Sequence, residues 1–555
     1  MKLNIEIKEW NQKIHTIKKM IHDLNVCQNY NYKEIRNLII KAEKIYVKLD
    51  QVYTYALICH ELDIGNEESI KALSEINSLY SSINKKMDYI NTCILDNKFD
   101  FIEKISKDNK LSRLKSYYEN LNNDNLIDWE FYEGLCLVDE YEKILYSDNK
   151  IGEFSYNKNI YHIEPNKLVF HLNNDDRSFR KKVYESVLEY YKEHENKAAF
   201  LINVDYRLKN QMSKNLGFEN YFIYLMRLSP FKDMNIDIFE DIENVKELFK
   251  KNIEIRRKIL NLKYISYYDL YYMGNEKSFI SFEQAKELML KISHVYGEQY
   301  VIELKKLFDS GNIHYESNNK KKFGARSYSL YSGYPHIIMN WNNDIDSLFI
   351  LAHEIGGAMM QKFSKYSKSI VYAEPSELKT EVASIINELL LYEYLKVSDI
   401  QFINKNELDI KILEVFKDNY LVPMENINFF KKMLNYSDES VLDEDSISEI
   451  YIKNVKEFRF FNKFIDLPNN DKNWIKLHDQ LNIEYNLYYI YAFMISLNVN
   501  MSNLNDIVGI FKKGDSISDL SFCDMILGDI NFKKLQIETN MKVEKNMNNI
   551  ILKRS

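Results

Sequence analysis

Apolar residues recur along the first hundred positions at helical spacing. Ile14, Ile17, Ile21 and Leu24 fall three or four apart, and Leu57, Ile58, Leu62 and Ile64 do so more loosely. Residues from about 8 to 110 are therefore expected to form antiparallel helices. Asn- and Asp-rich breaks such as Asn122-Asn123-Asp124-Asn125 punctuate the pattern. From about 150 to 172 the rhythm changes. Tyr161, Ile163, Leu168, Val169, Phe170 and Leu172 flank Pro165-Asn166 and predict a short hairpin. Long helices resume from Asp175 to about 290. A second β-like stretch covers 323–341, and a helix carrying His353 follows it. Then come a polar loop, a helix from about Ser376 to Lys396, and further helices with a loop near Lys513-Gly514-Asp515.

Composition agrees with a mostly α chain. Gly (14) and Pro (6) are scarce among 555 residues, as expected of long helices, which tolerate neither well. The net charge of −8 gives no electrostatic reason to expect nucleic acid as a partner. Lys320-Lys321-Lys322 beside Asn318-Asn319 reads as a solvated loop. The five cysteines form no CxxC pair, which points to free thiols in a reducing compartment. No stretch reaches the roughly 18 apolar residues that span a bilayer, and the first residues lack a signal-like apolar run. A cytoplasmic protein without a membrane partner is expected.

Chemistry concentrates in Leu351-Ala352-His353-Glu354-Ile355-Gly356-Gly357-Ala358. A helix with two histidines four apart can aim both imidazoles at one zinc, with the glutamate beside the first as general base. A third protein ligand comes from elsewhere and water completes the site. Here His353 and Glu354 are present, but the second histidine position holds Gly357, which cannot ligate. The nearest downstream histidine is His478. His60-Glu61 repeats the dipeptide without the surroundings and is given no function. Around His353 the surroundings are informative. Glu381 follows 28 residues later, the distance of a helix, a turn and a returning helix. Glu377, Glu381, Ser384 and Glu388 share one face of that second helix. Val382, Ile385, Ile386 and Leu389 make it apolar enough to be buried, and buried carboxylates need partners.

At these residues the chain resembles the oligoendopeptidase F family, close to the thimet oligopeptidases. That family has HExGH and then a glutamate within E-V-A-S-x-x-N-E. The match covers His353, Glu354, Gly356, Ala358, Glu381, Val382, Ala383, Ser384, Asn387 and Glu388. Asp176 to Glu185 is similar to the family's D-x-x-x-R-K-x-A-Y-E helix start. Gly324-Ala325 and Pro335-His336-Ile337-Ile338-Met339-Asn340 resemble its cleft-lining β-segment. Lys513 to Ser516 and Gly528-Asp529-Ile530 resemble its C-terminal turn. Most of the chain is covered.

The resemblance implies an elongated, zincin-type helical body with a deep substrate channel and a small β-segment beside the active-site helix. It divides the chain into an N-terminal helical lobe (1–110), a helical segment with a short hairpin (111–190) and a metallopeptidase-like catalytic domain (191–555). Short peptides are the implied partners. His353 and Glu381 are the implied zinc ligands and Glu354 the general base. Gly324, Ala325, His336, Tyr485 and Tyr489 are implied to meet substrate, and Tyr491 to donate to the oxyanion.

Several positions depart from the family. Gly357 replaces a zinc histidine, Ile483 stands at a cleft histidine, and Phe493-Met494-Ile495-Ser496 replaces Y-A-T-G. Arg326 stands where an aromatic is usual, and His336 where tyrosine is usual. With two protein ligands instead of three, zinc is expected to be weakly bound or absent. The first expectation is thus a peptide-binding homologue with weakened or lost hydrolysis. The second is an active zinc oligopeptidase rescued by His336, Glu377 or an extra water. A third is a scaffold whose channel has no role.

Overall fold

The structure is a computed structural model. It describes residues 7–24, 31–120, 137–146, 150–227, 231–234, 237–329, 331, 333–367, 369–459, 465–466, 473–477, 482–502, 504–528 and 530–553. The Asn122–Asn125 break, His478 and Asp529 lie outside them. The fold is mostly helical with a few short strands.

The first helices are α1 (Ile7–His22), α2 (Tyr32–Leu62) and α3 (Glu67–Leu95). Asn31 and Glu34 form a reciprocal cap that starts α2, and Asn66 caps α3 through the Ser69 amide. Ile14, Ile17, Ile21 and Leu24 turn inward and join one hydrophobic core running from Trp10 to Tyr118, with Tyr372 inserted into it. A larger core gathers residues from Tyr141 onward. The 111–190 stretch is shared between the two, since Leu111, Leu114 and Tyr118 belong to the first and Tyr141 to the second. Ile64, the last member of the looser periodicity, falls beyond α2. Its amide donates to Lys320 O at 3.0 Å, and the Lys322 amide donates to Glu61 O at 2.9 Å. These two backbone bonds tie the end of α2 to the loop before β4.

The expected hairpin exists but sits earlier. Strands β1 (Gly152–Tyr156) and β2 (Asn159–Ile163) pair antiparallel. Asn157 and Lys158 at their turn have φ of 48° and 67°, the conformation of a two-residue type I′ turn. Leu168–Leu172 is a helix, not the second strand. Pro165 explains the difference. It cannot donate to a sheet ladder, and its fixed φ suits the start of the 3-10 turn Pro165–Lys167 that leads into that helix. Next comes α4 (Arg177–Asn215), whose N-cap Asp176 accepts from the Ser178 and Phe179 amides. Arg177 and Arg180 in its first turn grip the fully buried Asp269 at 2.8 and 2.7 Å. The charged helix start thus anchors α4 to the segment around Ser266, whose amide also donates to Asp269.

The second β region is a three-stranded sheet of β3 (Ile313–His314), β4 (Arg326–Tyr328) and β5 (His336–Ile338). The order is β3-β5-β4, with β3 parallel and β4 antiparallel to the central strand. Against it lies α5 (Ile345–Ser364), which packs on α6 (Glu377–Val397), itself packed on α7 (Ile483–Asn498). Asp344 caps α5 and Ser376 caps α6 through main-chain amides. The loop near Lys513 is the turn Gly514–Ser516, and Asp515 there pairs with the buried Lys379 of α6. Among the described residues no helix is long and apolar enough to cross a membrane.

Candidate active site

Helices α5 and α6 touch through backbone at Gly356. A Cβ there would lie 2.4 Å from Ala383 O and 2.6 Å from Ser384 Cα, closer than any side chain could sit. The small residues Ala383 and Ser384 are the other half of that contact. Asn387 fastens the pair further along, donating to Ala352 O at 3.1 Å while accepting from Tyr296 Oη at 2.8 Å. The E-V-A-S-x-x-N-E string therefore has a packing meaning. Its small residues admit α5, its Asn locks the crossing, and its glutamates are aimed at His353.

His353 lies between two of those glutamates. Nδ1 is 2.7 Å from Glu388 Oε1, and Nε2 is 3.4 Å from Glu381 Oε2. Burial alone would lower the imidazole's proton affinity. The Glu381 charge and the Glu388 hydrogen bond outweigh burial and shift it upward. Glu381 is itself shifted upward, chiefly by burial. Its Oε1 accepts from Tyr485 Oη at 3.1 Å, while Oε2, which faces the His353 ring, has no hydrogen bond within normal geometry among the described residues. Glu354 is buried on the next position of α5. Burial raises its carboxyl, with His353 and Arg326 opposing by charge.

Gly357 faces a filled space. A Cβ there would meet Ser384 Oγ and Thr380 Cγ2 at 3.1 Å and Ser327 Oγ of β4 at 3.2 Å. Where a second imidazole would leave α5, two hydroxyls and a methyl close in. Among the described residues no group of three or more His, Cys, Asp or Glu side chains could hold a metal ion. The donors present, His353 Nε2 and Glu381 Oε2, make two of the three protein ligands that such a zinc site uses. The residues therefore do not fit a complete zinc site of that kind.

Along α7, Tyr485 and Tyr489 are one turn apart and share a face. Tyr489 stacks over His353 with ring centroids 6.5 Å apart, and Tyr485 meets Tyr489 edge-on at 5.2 Å. Tyr491 corrects the sequence expectation. Two residues past Tyr489, it lies about 200° round the helix. Its ring is fully buried, stacked on Phe231 and edge-on to Phe532, and its hydroxyl has no hydrogen-bond partner among the described residues. It faces away from His353 and cannot be the donor assigned to it. Phe493 likewise turns into the core against Tyr420, and Ser496 donates to Val382 O of α6 at 3.0 Å. Ile483 is buried at the helix start.

His336 is also not where the sequence expectation puts it. The register pairs Ser327 with Ile337 and Tyr328 with His336. Since Ser327 faces Gly357, strand alternation turns His336 to the opposite face. There it meets the Tyr55 ring of α2 and the His314 ring nitrogen at 3.2 Å, only 5% exposed. Burial and then His314 push it down to about 4. It thus lies on the sheet face opposite the one that Ser327 turns to Gly357. Gly324, with φ of 91°, and the half-buried Ala325 lead into β4. Arg326 points toward α2, where Nη1 is 3.4 Å from Glu61 Oε2 and donates to Phe323 O at 2.8 Å. Glu61, set aside in the sequence, thus holds the arginine that replaces an aromatic. The role of Glu388 was not legible either. Its place on the acidic face was, but nothing in the spacing shows which glutamate holds His353.

Residues 170–503 match peptidase family M3. An oligoendopeptidase F homolog of Borreliella burgdorferi is 26% identical over 455 residues, covering 77% of this chain and 75% of that one. The oligopeptidase PepF of Bacillus subtilis is 24% identical over 407 residues, covering 70% of this chain and 60% of its own length. A putative peptidase from Chlamydophila abortus superposes with a TM-score of 0.73 at 20% identity, covering 99% and 96% of the two chains. The oligoendopeptidase-F of Enterococcus faecium gives 0.69 at 17% identity, covering 99% of each. These two structures share the fold.

Proposed function

Since the chain belongs to peptidase family M3, we propose that it is an oligoendopeptidase F-like protein that binds short peptides, with zinc-dependent hydrolysis weakened or lost. The observation that carries this reading is Gly357 itself, which offers no donor where the second imidazole would leave α5 and is packed at close range by Ser327, Thr380 and Ser384. Two protein donors bind zinc less firmly than three. Without the metal, the water beside Glu354 is not brought from a pKa of about 15.7 toward about 7. Glu354, Tyr485 and Tyr489 would then serve to hold a peptide rather than to cleave it. Gly324 and Ala325 would let the peptide backbone approach β4, an edge strand of its sheet.

What survives at the site is consistent with binding. His353 is held rigidly by Glu388, and Tyr485 and Tyr489 present aromatic and hydroxyl groups beside it. Purified protein should contain far less than one zinc per chain by elemental analysis. It should bind quenched fluorescent oligopeptides without appreciable turnover. Stoichiometric zinc together with chelator-sensitive cleavage would refute the proposal and establish an active oligopeptidase with a substitute ligand.

A further inference from the structure

We propose that His314 and His336 form an acid-operated latch, which holds the end of α2 against the three-stranded sheet at neutral pH and releases it on acidification. His314 Nε2 and His336 Nδ1 face each other at 3.2 Å, with the two rings within 9° of parallel. Imidazole nitrogens so placed share one proton, a donor on one ring and a lone pair on the other. A second proton would set two N–H groups and two positive charges against each other. The pair sits where α2 meets the sheet. Tyr55 of α2 packs edge-on to the His336 ring, with centroids 6.3 Å apart. His314 lies on β3 and His336 on the central strand β5, whose Ile337 pairs with Ser327 of β4. The joint is thus on the sheet face opposite Gly357, one strand away from β4.

The same joint is fastened by the loop after β3. The Lys321 side chain is buried, and its ammonium donates to His314 O, Glu316 O and Met339 O at 2.9, 2.6 and 2.9 Å. On either side of it, Lys320 O accepts from the Ile64 amide and the Lys322 amide donates to Glu61 O. From β4, Arg326 is engaged with Glu61 of α2, and Tyr328 is the register neighbour of His336. Burial, then Lys321, hold His314 below its ordinary value of 6.5, with Glu316 opposing. Burial, then His314 and Lys365, do the same for His336. An open cavity of about 530 Å³, lined by Leu62, His314, Glu316 and Lys320 among others, gives solvent protons access to the pair. Rings held low contribute stability that is complete above 6.5 and is lost as pH falls toward the folded value. His336 alone, at about 4 when latched and 6.5 when released, makes the released form about twentyfold more populated at pH 5 than at pH 7.

The test is hydrogen exchange of the full chain at pH 7 and pH 5, read by mass spectrometry and corrected for intrinsic exchange at each pH. The Ile64 and Lys322 amides, and the Met339 amide that donates to His314 O, report on the joint. Their protection should fall about twentyfold between pH 7 and pH 5, while that of α6 amides such as Ile386 should not change. In the double variant His314→Gln, His336→Asn, side-chain amides stand in for Nε2 and Nδ1, so a hydrogen bond can persist without titration. There the pH effect should shrink to about threefold or less. If the double variant does not fold, His336→Asn alone carries the same expectation, because the twentyfold figure is that of His336. Equal protection of the parent at both pH values, or an undiminished loss in the variant, overturns the latch. So does an equal loss of protection in α6, which would show that acid unfolds the chain as a whole.

Discussion

Replacing Gly357 with histidine restores the missing donor, and the surroundings set what it should do. The new Cβ meets Ser384 Oγ, Thr380 Cγ2 and Ser327 Oγ at 3.1, 3.1 and 3.2 Å. All three neighbours are side-chain atoms that can rotate or shift by a few tenths of an ångström, so the helix crossing survives. The crowding costs about 1–3 kcal/mol as overpacking, offset by about 0.3 kcal/mol of regained helix propensity. Metal-free Gly357→His should therefore be modestly less stable than the parent. Zinc changes the balance. Outer-shell partners alone alter metal affinity about 10–100-fold, so a direct ligand should contribute at least the upper figure, about 2.7 kcal/mol. At free zinc about 100 times the new Kd, the variant gains about 2.7 kcal/mol of stability. Elemental analysis and chelator competition measure the affinity, and thermal unfolding with and without zinc measures the stabilisation. Gly357→Ala controls for packing alone. Should Gly357→His hold no more zinc than Gly357→Ala, the His353–Glu381 pair is not a metal half-site and the reasoning fails.

Gly356→Ala should be far more damaging than Gly357→Ala, because its Cβ collides with backbone atoms that cannot rotate away. A loss above about 3 kcal/mol in urea unfolding is expected, and equal effects of the two would contradict the close helix contact. Tyr485→Phe should cost about 1–2 kcal/mol by removing a donor to Glu381, whereas Tyr491→Phe removes an unbonded buried hydroxyl and should be neutral or slightly stabilising. A larger effect of Tyr491→Phe on peptide affinity would return Tyr491 to the site. His353, raised to about 10, contributes stability that is complete below its ordinary value of 6.5 and is lost as pH rises through the folded value. In EDTA the Tm advantage of the parent over His353→Gln should hold below pH 6 and shrink toward pH 10. A constant difference across that range would disprove the carboxylate clamp.

The helical frame was legible because the apolar period that makes a helix also buries it, as Ile14, Ile17 and Ile21 illustrate. Residues 353 and 381 could be joined from spacing, since two packed antiparallel helices allow few other separations. What spacing hides is rotation and register. Tyr491 belongs to the right helix but the wrong face, a distinction of two residues. His336 belongs to the right strand, yet its direction depends on pairing Tyr328 with His336, which no local signal announces. Leu168–Leu172 has strand-like residues, but the proline ahead of it starts a helical turn. Glu61 was unreadable for another reason, as its partner Arg326 is 265 residues away.

The two main-chain bonds that join Ile64 to Lys320 and Lys322 to Glu61 bear on how a peptide enters. They make the end of α2 continuous with the strand loop that carries Arg326, so that side of the cleft behaves as a fixed jaw. Glu43 and Tyr372 extend the fixture to the segment between α5 and α6, through Ser369 and the Tyr117 amide. A first lobe held at both edges does not swing as a lid. If the chain takes up peptides as proposed, the Ile64 and Lys322 amides should stay protected from hydrogen exchange when a peptide is added.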